Sequence, residues 1–373
     1  MEFKNFTPFA GIAWENVNAD NLWSVTSLVR GRFKLIKSES SSKNNSAAYF
    51  WQPHPEQGDL FDEDVFYPTD TSGNNIDSDT DSAVRYESDY IIFKPYSDII
   101  VNANTYPPDA EKSTGWQCGI RLLAPGTEKI LNQLELAVKG PMGARDLLFR
   151  QATDKVAVRY EHCRGGIQKI KNKGKEDEAI TVDRYNPIGC GRYDLANHTE
   201  DLSSPQIYYL DGHKTVPMKN VPPGFGFIHR SWQNRLDYAG TYDQDWLDKQ
   251  WPLPPHDFNA FHNQAAHPAL ITKSYLQPGS KIVLTNLIKG EPESWFTIPD
   301  YQFLARISTN LEKTLVTMHL DTLIIDINAE DQRDFSVYAS WRAYNRVFDE
   351  AVSAEVMLIP PDPGTARGDN HDQ

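Results

Sequence analysis

Between Leu22 and Ile36 the chain reads LWSVTSLVRGRFKLI, and this alternation constrains the fold more than any other stretch. Trp23, Val25, Val29, Phe33 and Leu35 fall on one face of an extended chain, with Ser24, Thr26, Arg30, Arg32 and Lys34 on the other. A period of two is the mark of a strand. FTPFAGIAW, just upstream, is a shorter apolar run able to pair with it. The same period returns at Ile99/Val101/Ala103, Cys118/Ile120/Leu122, Ile130/Leu134/Leu136/Val138, Val156/Val158/Tyr160 and Ile282/Leu284/Ile288. Lys94-Pro95 interrupts the text before Ile99, because proline cannot donate to a central ladder. Val316/Met318/Leu320/Ile324 leads through the polar text NAEDQRD into Phe335/Val337/Ala339/Trp341, the pattern of an antiparallel hairpin. Tyr344 to Leu358 fits a strand or a short helix.

These runs predict a mainly β protein, a large antiparallel β-sandwich or barrel-like body with few short helices. The chain contains 24 Pro and 22 Gly, enough for many short elements joined by turns. No repeat of fixed period is visible, which disfavours a propeller or solenoid. One unit is expected over about residues 2–358, able to divide into two β lobes, with a disordered tail at 359–373. The Arg-Gly-Asp in that tail is read as chance.

Charge narrows the partners. The formal net charge is −14, against nucleic acid as a general partner, since phosphate binding needs a basic surface. Nine Asp/Glu and no Lys or Arg lie between Pro55 and Val84, within an acidic loop insert expected at about 37–84. Its Asp77-Ser-Asp79-Thr-Asp81 resembles the start of a calcium loop, but Ser82 and Ser88 stand where Gly and Glu are needed, so a solvated loop is expected. Lys169, Lys171, Lys173 and Lys175 alternate, but Glu176-Asp177-Glu178 follow at once and cancel most of their field, so the text reads as a hairpin tip. Asn186–Arg192 (NPIGCGR) lacks any phosphate-loop pattern and reads as a tight turn. The start, MEFKNFTPFAG, has an early acid and no apolar core, so no signal peptide is expected. No run approaches the roughly 18 apolar residues of a membrane span. Three Cys without CxxC spacing suggest neither a disulfide framework nor zinc. The expected placement is the cytosol.

Pro222–Pro268 is different. It carries Trp232, Trp246, Trp251 and four His, has Pro or Gly at most bends, and shows no sustained alternation. A long irregular segment in a compact chain is either functional or packed down by its own aromatics. Neither it nor the rest of the chain carries a recognisable hydrolase pattern. No G-x-S-x-G elbow is present. His256, His262 and His267 are six and five residues apart, not the i, i+4 spacing of a helical zinc site. Thr241–Trp251 (TYDQDWLDKQW) reads as a short helix with Thr241 as N-cap, Gln244 completing a capping box, Tyr242 stacked on Trp246, and Pro252 as the stop. Asp243 and Asp245 then point different ways and cannot flank a glycosidic bond. No catalytic set, cofactor or metal ligand is assigned. Arg85 with Glu87, and Arg159 with Glu161, are expected as ion pairs at alternate strand positions.

Motifs in order carry a family resemblance. They are NFTPF at Asn5–Phe9, RYESD at Arg85–Asp89, FKP at Phe93–Pro95, VNANTYPP at Val101–Pro108, VRYEHCRGG at Val158–Gly166 and NPIGCG at Asn186–Gly191. PPGFGFIHRSW, RLDYAGTYDQDWL, QWPLPPHDF and FHNQAAHP follow within Pro222–Pro268, then LDTLIID at Leu320–Asp326 and Trp341-Arg342. Together they resemble a bacterial domain of formerly unknown function, now associated with type VI secretion, whose members act as effector adaptors or chaperones. The text between about Lys37 and Ser82 is longer than the family pattern, and His162-Cys163 stand where the pattern tends toward Ala-Phe.

The resemblance implies a non-enzymatic role. Such proteins bind the PAAR-containing or N-terminal part of an effector in the cytosol and help load it onto the VgrG spike. Trp232, Arg235, Tyr238, Tyr242, Trp246, Trp251, His256 and Phe258 are the candidate contacts, because Trp, Tyr and Arg dominate binding hot spots. The alternatives are a glycan-acting or metal-dependent hydrolase and a β-type sugar- or peptide-binding module.

Overall fold

The alternating run becomes the strand Trp23–Lys37, buried on both faces over most of its length. In the computed structural model, which describes residues 1–39, 46–69, 82–109, 111–142, 149–171, 178–191, 204–211, 214–216, 220–329 and 331–360, this strand is the spine of the main sheet. One edge pairs antiparallel with Ser336–Arg346 from Ser24 to Lys34. The other edge is shared, with Ala10–Val17 along its first half and Ser46–Pro53 along its end. A second long strand, Lys313–Ile327, lies on the far side of Ser336–Arg346 and divides likewise. Gln302–Thr309 pairs with its first half and Asp98–Thr105, parallel, with its second.

Two split strands, one on each side of Ser336–Arg346, fork the sheet. One arm runs through Gln302–Thr309 and Ala351–Ile359 to Glu2–Phe6, which joins in parallel. The other curls through Ser46–Pro53, the parallel strand Glu291–Thr297, Lys281–Ile288, Gly115–Leu123 and Ile130–Lys139 to Ile207–Asp211 and Lys214–Val216. Sixteen of the described strands form one mixed network, and the other six pair in three two-stranded sheets. The mainly β expectation holds, with parallel pairs among antiparallel ones.

The curl almost meets itself. Asn286 has a left-handed φ of 55° at a register shift in Lys281–Ile288, and its carbonyl accepts from Tyr106 N (3.0 Å) and Thr105 Oγ1 (2.8 Å). A bulge of this kind bends a strand and re-aims its groups. No ladder closes the ring among the described residues, so the body is not a closed barrel.

The principal core spans Phe9 to Val356 and is strongly aromatic. Phe33 lies 5.1 Å from Trp51 and 5.3 Å from Tyr301, and Phe303 lies 4.7 Å from Trp341, tilted contacts that suit the ring quadrupoles. A smaller cluster of Val25, Ile307, Val347, Ala351 and Ala354 fills the fork.

Several expectations change. The acidic insert is not one loop: Ser46–Pro53 is a sheet strand, and Val65–Phe66 pairs with Val84–Tyr86. Val156/Val158/Tyr160 is a strand only at Val156–Ala157, because Tyr160–His162 turns into a 3-10 helix. Tyr344–Leu358 resolves into the end of one strand, a break, and the strand Ala351–Ile359, so the proposed tail boundary at 359 falls within that strand. The calcium-like triad Asp77/Asp79/Asp81, Lys173, Lys175, Arg192 and residues 361–373 lie outside the described residues, as do the side chains of Lys169 and Lys171. Among the described residues no helix is long and apolar enough to cross a membrane.

Candidate partner-binding surface

The segment 222–268 is fastened at both ends and stands out in the middle. At its start Phe225, Phe227 and Ile228 are buried, and the Phe225 carbonyl accepts from Val101 N at 2.8 Å, satisfying an edge of the strand Asp98–Thr105. Gly224 lies so close to Tyr160 that a Cβ would fall 2.5 Å from its ring. Trp232 packs edge-on against the same ring at 5.3 Å. The short helix α1, Gln233–Leu236, places Arg235 inward, where it pairs with Glu87 and donates to the carbonyls of His262 (2.7 Å) and Ile228 (3.1 Å). Glu87 therefore serves Arg235, with Arg230 also 3.4 Å away, and Arg85 pairs with Asp326 at 2.9 Å, contrary to the expected Arg85–Glu87 pair. Arg159 does pair with Glu161, across the 3-10 turn. Partner choice across such distances is set by tertiary packing, which local spacing does not encode.

At the segment's end Asp98 is a buried hub. Its carboxylate accepts from Ala265 N (2.9 Å), Gln264 Nε2 (2.7 Å) and Lys94 Nζ (2.7 Å). His267 is fixed equally firmly. Its Nδ1 accepts from Ala269 N at 3.1 Å, so the ring proton sits on Nε2 and points to Tyr209 Oη at 2.7 Å, while Tyr209 donates onward to Val221 O. Burial pushes this imidazole down to about 4. His262 Nδ1 donates to Arg235 O, and His256 lies 3.7 Å from Asp20, so the three histidines serve separate partners.

Between these anchors the chain emerges. Helix α2, Gln244–Lys249, is N-capped by Asp243, which accepts from Trp246 N at 2.9 Å. The expected cap, Thr241, is engaged elsewhere: its N–H and hydroxyl bond the Asp257 carboxylate at 2.9 and 2.7 Å, closing the turn at Gly240, where φ is +85°. The Tyr242–Trp246 stack forms as expected, edge-on at 4.7 Å, and Trp246 Nε1 donates to Leu253 O.

The eight candidate contacts divide accordingly. Trp232 and Arg235 are buried and hold the segment down. Trp246 and Phe258 are half-buried. Tyr238, Tyr242, Trp251 and His256 are exposed, Tyr242 at 57% and Trp251 at 64%. Leu236, Leu247 and Phe261 extend the same surface. Tyr238 and Phe261 also border an open cleft of about 440 Å³ with Tyr96, Asn234 and Lys273.

This limb touches a second apolar feature. Gln250 Nε2 donates at 2.6 Å to Ala19 O, in the turn between Ala10–Val17 and Trp23–Lys37. Beside that turn, Leu22, Trp23, Val347 and Phe348 line a groove of about 600 Å³. The alternation places Trp23 on the core face and marks nothing at Phe348, yet they are 52% and 88% exposed. The readable signal was Phe348 followed by Asp349-Glu350, an aromatic in a polar break.

Residues 50–338 match the family described as "Uncharacterized protein conserved in bacteria (DUF2169)", and the chain belongs to that family. No match was found among curated proteins or among solved structures.

Proposed function

We propose that this member of the DUF2169 family is a non-enzymatic adaptor or chaperone for a type VI secretion effector. In this reading it binds the PAAR-containing or N-terminal region of the effector in the cytosol and helps load it onto the VgrG spike. The observation that carries it is the limb 238–258, whose Tyr238, Tyr242, Leu247 and Trp251 side chains face outward while buried anchors hold both of its ends. A pre-organised apolar surface loses little conformational entropy on binding, and contiguous exposed apolar groups on a folded protein mark interaction sites. The motif resemblance supplies the secretion context. Co-expression with an effector encoded beside VgrG or PAAR genes tests it. The expected result is a higher yield of folded effector, co-purification of the two chains, and secretion that depends on this protein. Equal yield and equal secretion without it would sink the reading.

A second reading, a sugar- or peptide-binding module, draws on the cleft beside Tyr238. Its Tyr96 and Phe261 rings lie 5.7 Å apart, next to Asn234 and Gln264. Stacking rings beside amides suit a small polar ligand with an apolar face.

A further inference from the structure

The groove beside Trp23 is built, not incidental. The turn feeding it is fixed from within: Asn18 Oδ1 accepts from Asp20 N (3.0 Å) and Leu22 N (2.9 Å), Asn18 N donates to Leu22 O, and Asn21 adopts a left-handed φ of 58°. Across the groove Val347 N donates to Trp23 O at 3.0 Å, fastening the end of Ser336–Arg346 to the same turn. Val347, the floor, is part of the small core in the fork, so the groove is the outward mouth of that core. The backbone on both sides of the groove is therefore fastened, and its Val347 floor is continuous with packed interior.

Its rim is acidic. Glu15, Asp349 and Glu350 line it, and Asp20 stands in the adjoining turn. Among the described residues no Lys or Arg lies within ion-pair distance of Glu15, Asp349 or Glu350. Arg346 is exposed nearby in the chain but does not line the groove. Like charges gathered around an apolar slot repel one another until a cationic partner neutralises them, and complementary potential selects the partner and its register.

We infer that this groove takes a basic segment of a partner polypeptide, one that seats a large apolar side chain between Trp23 and Phe348 and sets Lys or Arg against Glu15, Asp349 and Glu350. The inference deepens the adaptor reading by naming the chemistry of the effector segment, and it rests on that reading for the identity of the partner. The chain's own residues 361–373 are a poorer occupant, since they carry three Asp and one Arg.

The test uses the full chain and two synthetic peptides, one of alternating Leu, Phe and Lys and its counterpart with Glu at every Lys. The Lys peptide is expected to bind at least about tenfold tighter than the Glu peptide, with affinity falling as salt rises. Phe348→Ser and Trp23→Ser should each weaken it about tenfold, as loss of a hot-spot anchor does. D349K with E350K should reverse the peptide preference. Melting temperatures unchanged from the parent chain would show that the variants fold.

Equal binding by parent and variants overturns the inference, as does equal binding of the two peptides. A shift to monomer on Phe348→Ser would overturn it in favour of a second copy, and tighter peptide binding on deletion of 361–373 would overturn it in favour of the tail. The two levels separate cleanly. If an effector co-purifies equally with the parent and with Phe348→Ser, the groove assignment falls and the adaptor reading stands. If no effector co-purifies but the peptide results hold, the groove stands and the adaptor reading falls.

Discussion

Two stretches of this chain look alike as text. Arg85–Asp98 reads RYESDYIIFKPYSD and Arg235–Trp251 reads RLDYAGTYDQDWLDKQW, both mixtures of aromatics, acids and a few cations. In the fold they are opposites. The first is turned inward over the polar face of Trp23–Lys37. Arg30, 2% exposed, meets Asp89 at 2.6 Å and lies 3.8 Å over the Phe61 ring; Arg342 pairs with Asp321 and donates to Asp89 O; Lys94 meets Asp98 and Thr322. Asp321 reaches Arg342 from a register shift in its strand. Past its buried first residue, Arg235, the second stretch pairs its charges at the surface, Lys249 with Asp245, and shows Tyr238, Tyr242 and Trp251 to solvent. The same composition is a fastening in one place and a face in the other, and the difference is whether complementary charges wait on the strands beneath.

The sharpest way to break that contrast is Asp89→Ala. It leaves the Arg30 guanidinium buried without its counter-ion, a loss of about 3–5 kcal/mol. Denaturant unfolding measures it. A loss under about 1 kcal/mol would mean that Arg30 finds water or another acceptor, and that the inner stretch is no more a fastening than the outer one.

Acid should loosen the anchors before it touches the limb. His267, 7% exposed, is held neutral with a pKa of about 4, whereas the unfolded chain titrates near the ordinary 6.5. Between those values the unfolded state binds the extra proton, so stability rises with pH through pH 4 to 6.5 and is flat above it. The shift is worth up to about 3 kcal/mol at 1.36 kcal/mol for each pH unit. His267→Gln should flatten that part of the stability-pH curve, and an unchanged slope would remove His267 as its source.

The smallest stability effect is expected on the limb itself. Tyr242→Ser with Trp251→Ser should change unfolding free energy by no more than about 0.5 kcal/mol, as for surface sites, while reducing effector co-purification. A loss above about 2 kcal/mol would make the limb a structural clamp like the inner stretch.

How much of this could be read beforehand follows from what each feature depends on. Trp23–Lys37 and the Lys313–Ile327/Ser336–Arg346 hairpin were legible because a half-turn of chain per residue writes itself directly into the alternation. The burial of Arg30 was not, since it needs the cover supplied by Asp59, Phe61 and Asp89, and a polar strand face looks solvent-bound until something lies over it. Arg85 finds Asp326 across 241 residues, and Glu87 finds Arg235 across 148, distances over which local spacing carries no information. The helix cap moved from Thr241 to Asp243 because Asp257, sixteen residues away, claims the threonine. Of the candidate contacts, the exposed ones were legible as aromatic and unpatterned. Trp23 was placed inward because alternation says which face a residue occupies, and at the end of a strand that face has already run out of core.

The parallel pairing of Glu2–Phe6 with Ala351–Ile359 bears on how the chain is made. Ala10–Val17 waits for nothing more than Trp23–Lys37, but that spine needs Ser336–Arg346, and Glu2–Phe6 needs residues beyond 351. Contacts so distant in sequence close slowly and late. During translation the edge of Trp23–Lys37 that takes Ser336–Arg346 has no permanent neighbour until residues 336–346 have left the exit tunnel. Its yield in the cell should therefore respond to chaperone supply before its finished stability does.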